Sequence, residues 1–310
     1  MGVRLFDWRD LPGLQHYRKD GVFLDSALLL TRGSLLVPGI LLSSLAPSMG
    51  IFTCILEQGS KDEPHVMGQC IHPAGSPLSH LTYLAPDGEF ENGVVCTLVE
   101  FMMALSGDRG ALRMVADVEE DTITFESLRR CGFAIYNRQR IWRLTNQREK
   151  FPELGKWRSA ADRDSIPARN LYSNLVPGLV QQIEPFTHHP RGMVYYQDGD
   201  LLAYVELKYG HRGIWAQPFI HPDAEDVADH LGELFNKISG RRHRPIYICI
   251  RSHQSWLESA IEKLGGSASP RQAVMARQLA IPQKAARAYA IPVLESGQPE
   301  VTAPLAHIER

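Results

Sequence analysis

Residues 94–144 read VVCTLVEFMMALSGDRGALRMVADVEEDTITFESLRRCGFAIYNRQRIWRL, and their pattern returns further along the chain at a constant offset of 133. Val94, Val95, Leu98, Phe101, Met102 and Leu105 are apolar at steps i, i+1, i+4, i+7, i+8 and i+11. That spacing puts them on one face of an amphipathic helix. At the same offset stand Val227, Ala228, Leu231, Leu234, Phe235 and Ile238, with the same face. The stops agree as well. Ser106-Gly107 answers to Ser239-Gly240, and a glycine just past the last apolar turn ends a helix. Gly132 answers to Gly265, and Arg138-Gln139 to Arg271-Gln272. One offset that aligns a helix, its stop, a later glycine and a dipeptide predicts a tandem duplication.

Outward from this unit, the first copy continues with a strand over 112–118, a helix over 124–131 and a strand over Ala134–Leu144. Before it the reading gives strands over 3–8, 50–57, 65–72 and Leu78–Ala85, with helices over 11–19 and 26–30. The apolar run 35–45, punctuated by Gly and Pro, stays undecided between loop, helix and groove lining. Residues 145–165 are polar and without strand character, so the junction between domains falls there. The second copy opens with a helical stretch over 168–183, interrupted at Pro177. A hairpin follows over 193–196 and 201–209, turning on Asp198-Gly199. Then come strand 213–220, the second long helix, strand 245–250, helix 254–264 and strand 272–279. The expected division is 1–150, 160–282 and a C-terminal tail over 283–310.

The chain has 310 residues, 44% hydrophobic and 22% charged, with a net charge of -2. That suits about two globular domains of roughly 100–200 residues each. The charge gives no support to a nucleic-acid partner. Arg241-Arg242-His243-Arg244 reads as a solvated run after a helix end. No apolar run is long enough to span a membrane, and MGVRLFDW lacks the pattern of a signal peptide. Cys54, Cys70, Cys96, Cys131 and Cys249 are scattered, with no CxxC pair, and read as free buried thiols in a reducing cytoplasm. His188-His189, His211 and His221 do not have the spacing of a closed metal site, so no metal is expected.

The run LRMVADVEEDTITFESLRRCGF (112–133), followed by AIYNRQRIWRL, resembles the C-terminal part of the GNAT superfamily of CoA-dependent N-acyltransferases. YICIRSHQSWLESAIEKLGG (247–266) looks like the same unit, with Gly266 where the first copy has Phe133. The resemblance implies an α/β (α+β) fold of two tandem GNAT-like domains, each a mixed, mainly antiparallel sheet flanked by helices. It implies acetyl-CoA or another acyl-CoA as cofactor, and a small-molecule or peptide amine as acceptor.

In that family the CoA pyrophosphate rests on a glycine-rich loop before the long helix, where free N–H groups and the helix dipole favour an anion. The matching loop of the first copy is Asp87-Gly88-Glu89-Phe90-Glu91-Asn92-Gly93. It keeps two glycines, so Leu84, Ala85, Gly88, Asn92, Gly93 and Val94 become the expected cofactor residues. Its carboxylates oppose a diphosphate by about 1 kcal/mol per pair in a water-like dielectric. The second loop, Asp223-Ala224-Glu225-Asp226, has no glycine. It reads as an ordinary helix start with Asp223 available as a cap. Many members carry a tyrosine four residues before the glycine that ends the later helix, as acid for the departing thiolate. Leu128 and Ile261 stand there instead.

The candidate catalytic residues are Tyr83, His80 and His221. Ser252 reads as a cap for the helix after the strand. Two functions stay open: N-acyl transfer to an amine, and a non-catalytic GNAT-like module that binds a ligand or a protein. A subunit that forms a homodimer is a third.

Overall fold

A computed structural model of the chain describes residues 2–7, 10, 20–34, 36–37, 47–57, 66–87, 93–144, 157–186, 189–238 and 244–279. The first copy runs β1 (Gly2–Leu5), β2 (Val22–Phe23), α1 (Ser26–Arg32), β3 (Ile51–Glu57), β4 (Val66–Ile71), β5 (Leu78–Ala85), α2 (Val94–Gly107), β6 (Arg113–Glu119), α3 (Ile123–Arg130) and β7 (Ala134–Leu144). The second runs β8 (Trp157–Ser159), α4 (Ser165–Leu175), α5 (Gly178–Ile183), β9 (Gly192–Gln197), β10 (Asp200–Tyr209), β11 (Ile214–Ile220), α6 (Val227–Lys237), β12 (Ile246–Arg251), α7 (Glu258–Lys263) and β13 (Ser267–Gln278). The expected helix over 11–19 and the undecided run 35–45 lie mostly outside the described residues, as do the centre of the junction and the tail over 283–310.

The duplication is visible in local chemistry. Helix α3 ends at Gly132 with φ +82, and α7 is followed by Gly265 with φ +74. In both copies the next residue reaches back in the same way: Phe133 N–H donates to Leu128 O at 3.0 Å, and Gly266 N–H to Ile261 O at 3.0 Å. This is a Schellman-type ending, in which a left-handed glycine lets the chain turn back and satisfy the last carbonyls. Thr122 caps α3 by accepting from Phe125 N–H.

Three expectations of local structure change. Strand β8 lies inside the stretch read as lacking strand character. Three residues are too few to show a period, and the strand is held by buried Trp157 against Tyr195. The helix expected from 254 starts as a tight 3-10 turn over Ser252–Leu257. Gln254 is non-helical there because its buried side chain donates to Ile220 O at 3.1 Å. Ser252 caps nothing; its hydroxyl donates to Asn137 Oδ1.

The strands form one sheet in the order β1-β3-β4-β5-β6-β13-β7-β12-β11-β10-β9-β8, with β2 attached to β5. The final strands have changed places. β13, from the second copy, lies between β6 and β7, and β7 pairs with β12. Gln139 stands directly opposite Gln272 in the antiparallel β7–β13 pair, and the two amides are bonded at 2.9 Å. These residues answer to each other at the sequence offset, so the pseudo-twofold axis of the duplication passes through this pair.

Helices α2 and α3 pack on one face of the first copy through Leu98, Met102 and Leu128, which are fully buried. Helices α6 and α7 do the same for the second through Leu231, Leu234 and Ile261. On the opposite face α4 and α5 meet Val115 and Tyr136 of the first copy together with Phe219 and Val274 of the second. This shared core makes residues 1–280 one unit. Among the described residues no helix is long and apolar enough to cross a membrane.

The cysteine expectation is corrected for one pair. Cys96 on α2 and Cys131 at the end of α3 form a disulfide, with Cα atoms 4.9 Å apart. The two helices pack side by side, and that packing brings distant positions into bonding range. Cys54, Cys70 and Cys249 are buried free thiols, as read from the sequence. The argument for a reducing compartment therefore does not extend to this pair. Replacing Cys96 with serine is expected to lower the unfolding free energy by roughly 2–3 kcal/mol. Urea unfolding with and without reductant checks this, because reductant should remove the difference.

Candidate functional site

The sheet opens twice. Strands β5 and β6 run parallel and pair only from Leu78 with Arg113 to His80 with Val115. Strands β11 and β12 pair only from Ile214 with Ile246 to Ala216 with Ile248. Beyond these points each pair separates.

The first split is filled by the chain itself. Val22 and Phe23 pair with Leu84 and Tyr83. Leu24 then bridges the gap. Its N–H donates to Thr82 O on β5 at 3.0 Å, and its C=O accepts from Asp117 N–H on β6 at 2.8 Å. The Leu24 side chain is 1% exposed and belongs to the first copy's core. Backbone groups that a ligand would otherwise engage are satisfied by β2 and the residue after it. In the second split no described strand lies between β11 and β12. Pro218 offers no N–H there, and Gln254 reaches across to Ile220 O.

A pocket of about 340 Å³ lies on the face carrying α1, α4 and α5, across the pseudo-twofold axis. Both copies line it at the points where their splits begin: His80 and Asp117 from the first, Gln217 and Arg251 from the second, with Tyr136 and Gln139 of β7 between them. Asp25 enters from the start of α1. It caps that helix through Leu28 N–H, and its other oxygen lies 3.5 Å from His80 Nδ1. Asp117 accepts from Ser26 N–H.

Arg251, with its side chain 10% exposed, donates through Nη2 to both Glu184 oxygens at 3.0 and 3.2 Å. The Tyr136 hydroxyl donates to the same carboxylate. Burial alone would raise the Glu184 carboxyl, but Arg251 and Tyr136 outweigh it and hold it below the usual range. Burial, with the charge of Asp25 adding to it, pushes the Asp117 carboxyl up to about 6, while Arg251 pulls the other way.

The Asp117 shift has a stability consequence. A carboxyl whose folded pKa lies above its unfolded value of 3.8 holds its proton more tightly when folded. Its contribution to stability therefore falls as pH rises from about 4 to about 6. Asp117→Asn should flatten the stability profile in that window. His80, Asp25, Glu184, Tyr136 and Arg251, which line the same pocket, are left in place. Urea midpoints at pH 4, 5, 6 and 7 check this.

A parallel pair that splits after three residues, with a long helix following the first of its strands, is a distinctive arrangement. It appears here in both copies. A GCN5-related N-acetyltransferase structure from Sphaerobacter thermophilus is similar over 90% of this chain and 95% of that chain, with a TM-score of 0.54 at 10% identity. This chain has the GNAT fold, in tandem. A tandem GNAT protein from the clavulanic acid biosynthesis pathway also matches, over 74% of this chain and 83% of that chain, with a TM-score of 0.46 at 14% identity. No family model and no curated protein matches the sequence.

Against the GNAT expectations, the sequence candidates separate. His80 lines the shared pocket. Tyr83 is 1% exposed and packs on Phe23 with ring centroids 4.9 Å apart, under β2. His221 lies beyond β11, outside the pocket lining, with Nδ1 3.5 Å from Asp223 Oδ2. Leu84 and Ala85 are buried, and Leu84 is paired with Val22. Gly88 and Asn92 lie outside the described residues. Gly93 precedes α2 with φ +108 and open space around it, and Val94 begins the helix.

At the second helix start the cap position is Asp226, without a side-chain cap bond, rather than Asp223. The amides of Asp223 and Ala224 are turned onto His221. Leu128 and Ile261, which stand in the GNAT tyrosine position, are fully buried core residues. Sequence reasoning missed Asp25, Asp117, Glu184 and Arg251. For Asp117 and Arg251 the available signal was a charge within or ending a mostly apolar strand, as in RMVADVE and IYICIR; Asp25 and Glu184 flank helices and gave no such signal.

Proposed function

We propose that the chain is a GNAT-type N-acyltransferase homologue that receives an amine in the shared pocket and admits acyl-CoA only through its second half. One observation carries this reading: His80, with Asp25 beside it, stands in a pocket on which both splits converge. A histidine oriented by a carboxylate is suited to take a proton from an ammonium. Asp25, Asp117, Glu184 and Glu206 outnumber Arg251 and Lys208 around the space, which favours a cationic acceptor.

The first split does not fit a cofactor, because Leu24 occupies both of its edges. In the second split no described strand intervenes, and Phe219 and Gln217 border the space a pantetheine arm would enter; the Asp223 and Ala224 amides are already turned onto His221, so this helix start offers the diphosphate little. When bound, acyl-CoA supplies an activated thioester carbonyl. The chain's part is to orient the amine, deprotonate it at His80 Nε2, and exclude water beneath Tyr172 and Phe186.

The test is thiol release from acetyl-CoA in the presence of a panel of primary amines. Wild type should release thiol at least ten times faster than His80→Ala, with unchanged acetyl-CoA affinity. Equal rates remove His80 from the chemistry.

A second reading, a ligand-binding module without transfer, is favoured by the acidic starts of both long helices and by the buried Leu128 and Ile261. Calorimetric titration separates the two. Absence of acetyl-CoA binding at millimolar ligand would leave the binding module.

A further inference from the structure

We propose that the shared pocket binds an amino acid with a free amine, a free carboxylate and an apolar side chain. The inference rests on the reading of this pocket as the amine site, and holds whether or not acyl transfer follows.

The decisive group is Arg251. One of its terminal nitrogens is engaged by Glu184. Its Nη1 and Nε are buried and have no hydrogen-bond partner among the described residues. A guanidinium cannot shed its charge, and unmet donors on it are costly. The side chain is nine-tenths buried and lines the pocket. A ligand carboxylate is the group that answers such donors best.

From the other copy Asp117 and Asp25 face the same space. They repel a simple carboxylate and attract an ammonium. The first copy's carboxylates carry no cation with them, whereas the second copy supplies both cations of the lining, Arg251 and Lys208, beside Glu184 and Glu206. A ligand with both charges satisfies the groups of both copies.

Around these charges the wall is aromatic: Tyr172, Phe186, Tyr204, Trp215 and Phe219. That wall suits an apolar side chain. A volume of about 340 Å³ is near the lower end of small-molecule pockets, which run roughly 300–1,000 Å³, and suits one amino acid rather than a peptide.

The experiment is calorimetric titration of the whole chain, without acyl-CoA, using three probes. L-phenylalanine carries both charges, 2-phenylethylamine lacks the carboxylate, and 3-phenylpropanoate lacks the amine. L-phenylalanine should bind at least tenfold more tightly than either of the others. Arg251→Lys keeps a cation beside Glu184 but removes N–H donors. It should weaken L-phenylalanine at least tenfold and leave 2-phenylethylamine within twofold. Asp117→Asn should weaken both amines. Circular dichroism confirms that each variant is folded.

Equal affinity for L-phenylalanine and 2-phenylethylamine overturns the proposal. So does 3-phenylpropanoate binding as tightly as L-phenylalanine, or no binding by any probe. A chain that binds L-phenylalanine but never consumes acetyl-CoA refutes the transfer reading alone.

Discussion

Ending the chain after Gly266 is expected to unfold both copies, and not only the second. The truncation removes β13, which pairs with β6 from Gln272 opposite Glu119 to Gln278 opposite Arg113. On its other side β13 pairs with β7. Loss of the strand leaves β6 and β7 each with an open edge in the middle of the sheet. It also removes Ala273 and Met275 from the first copy's core and Val274 from the shared core. Buried backbone groups without partners and three vacated apolar positions together exceed the ~5–15 kcal/mol that stabilises a typical domain. A chain ending at Ala280 keeps the whole unit and serves as control. Hydrogen exchange at β4 and β5 is the readout. Native protection there in the shorter chain would show that the copies fold independently.

Replacing Leu24 with alanine should lower the unfolding free energy by about 3–5 kcal/mol, the usual cost of emptying a buried leucine site that cannot collapse. The site cannot collapse because its backbone is bonded to Thr82 on one side and Asp117 on the other. The side chain joins Leu81, Leu84, Leu98 and Met102 in one cluster. A surface strap would cost less than 1 kcal/mol on the same substitution. The urea midpoint decides between them. The same measurement bears on function, because a segment this firmly built into the core is not displaced by a cofactor at ordinary concentrations.

Much of the architecture was legible because it depends on local periodicity. The offset found both long helices, and Gly132 and Gly265 marked both helix endings. β5 and β7 fall where alternation and apolar runs put them. The exchange of β7 and β13 was not legible. Each is an antiparallel strand of the same pattern, and nothing local states which neighbour it will choose. Val22–Phe23 was missed because a two-residue strand has no period. Its place in the split depends on backbone groups of β5 and β6, which the sequence does not display.

The candidate site was legible only in part. His80 was found because histidine is chemically conspicuous on a strand. Asp117 and Arg251 were passed over because a single charge in an apolar strand reads as a strand edge. Their meaning comes from the pseudo-twofold arrangement that brings positions from 25 to 251 around one space. At the second long helix the amides of Asp223 and Ala224 are turned onto His221, a contact that residue types alone do not display.

Hydrogen exchange of the intact chain with and without saturating acetyl-CoA tests the central proposal, that the first split is closed by residues 22–24 and the second takes the cofactor. Added protection is predicted over Gln217–Ile220 of β11 and the adjoining residues of β12, with Leu81–Ala85 of β5 and residues 22–25 unchanged. Protection appearing along β5, with residues 22–25 exchanging faster, would contradict it.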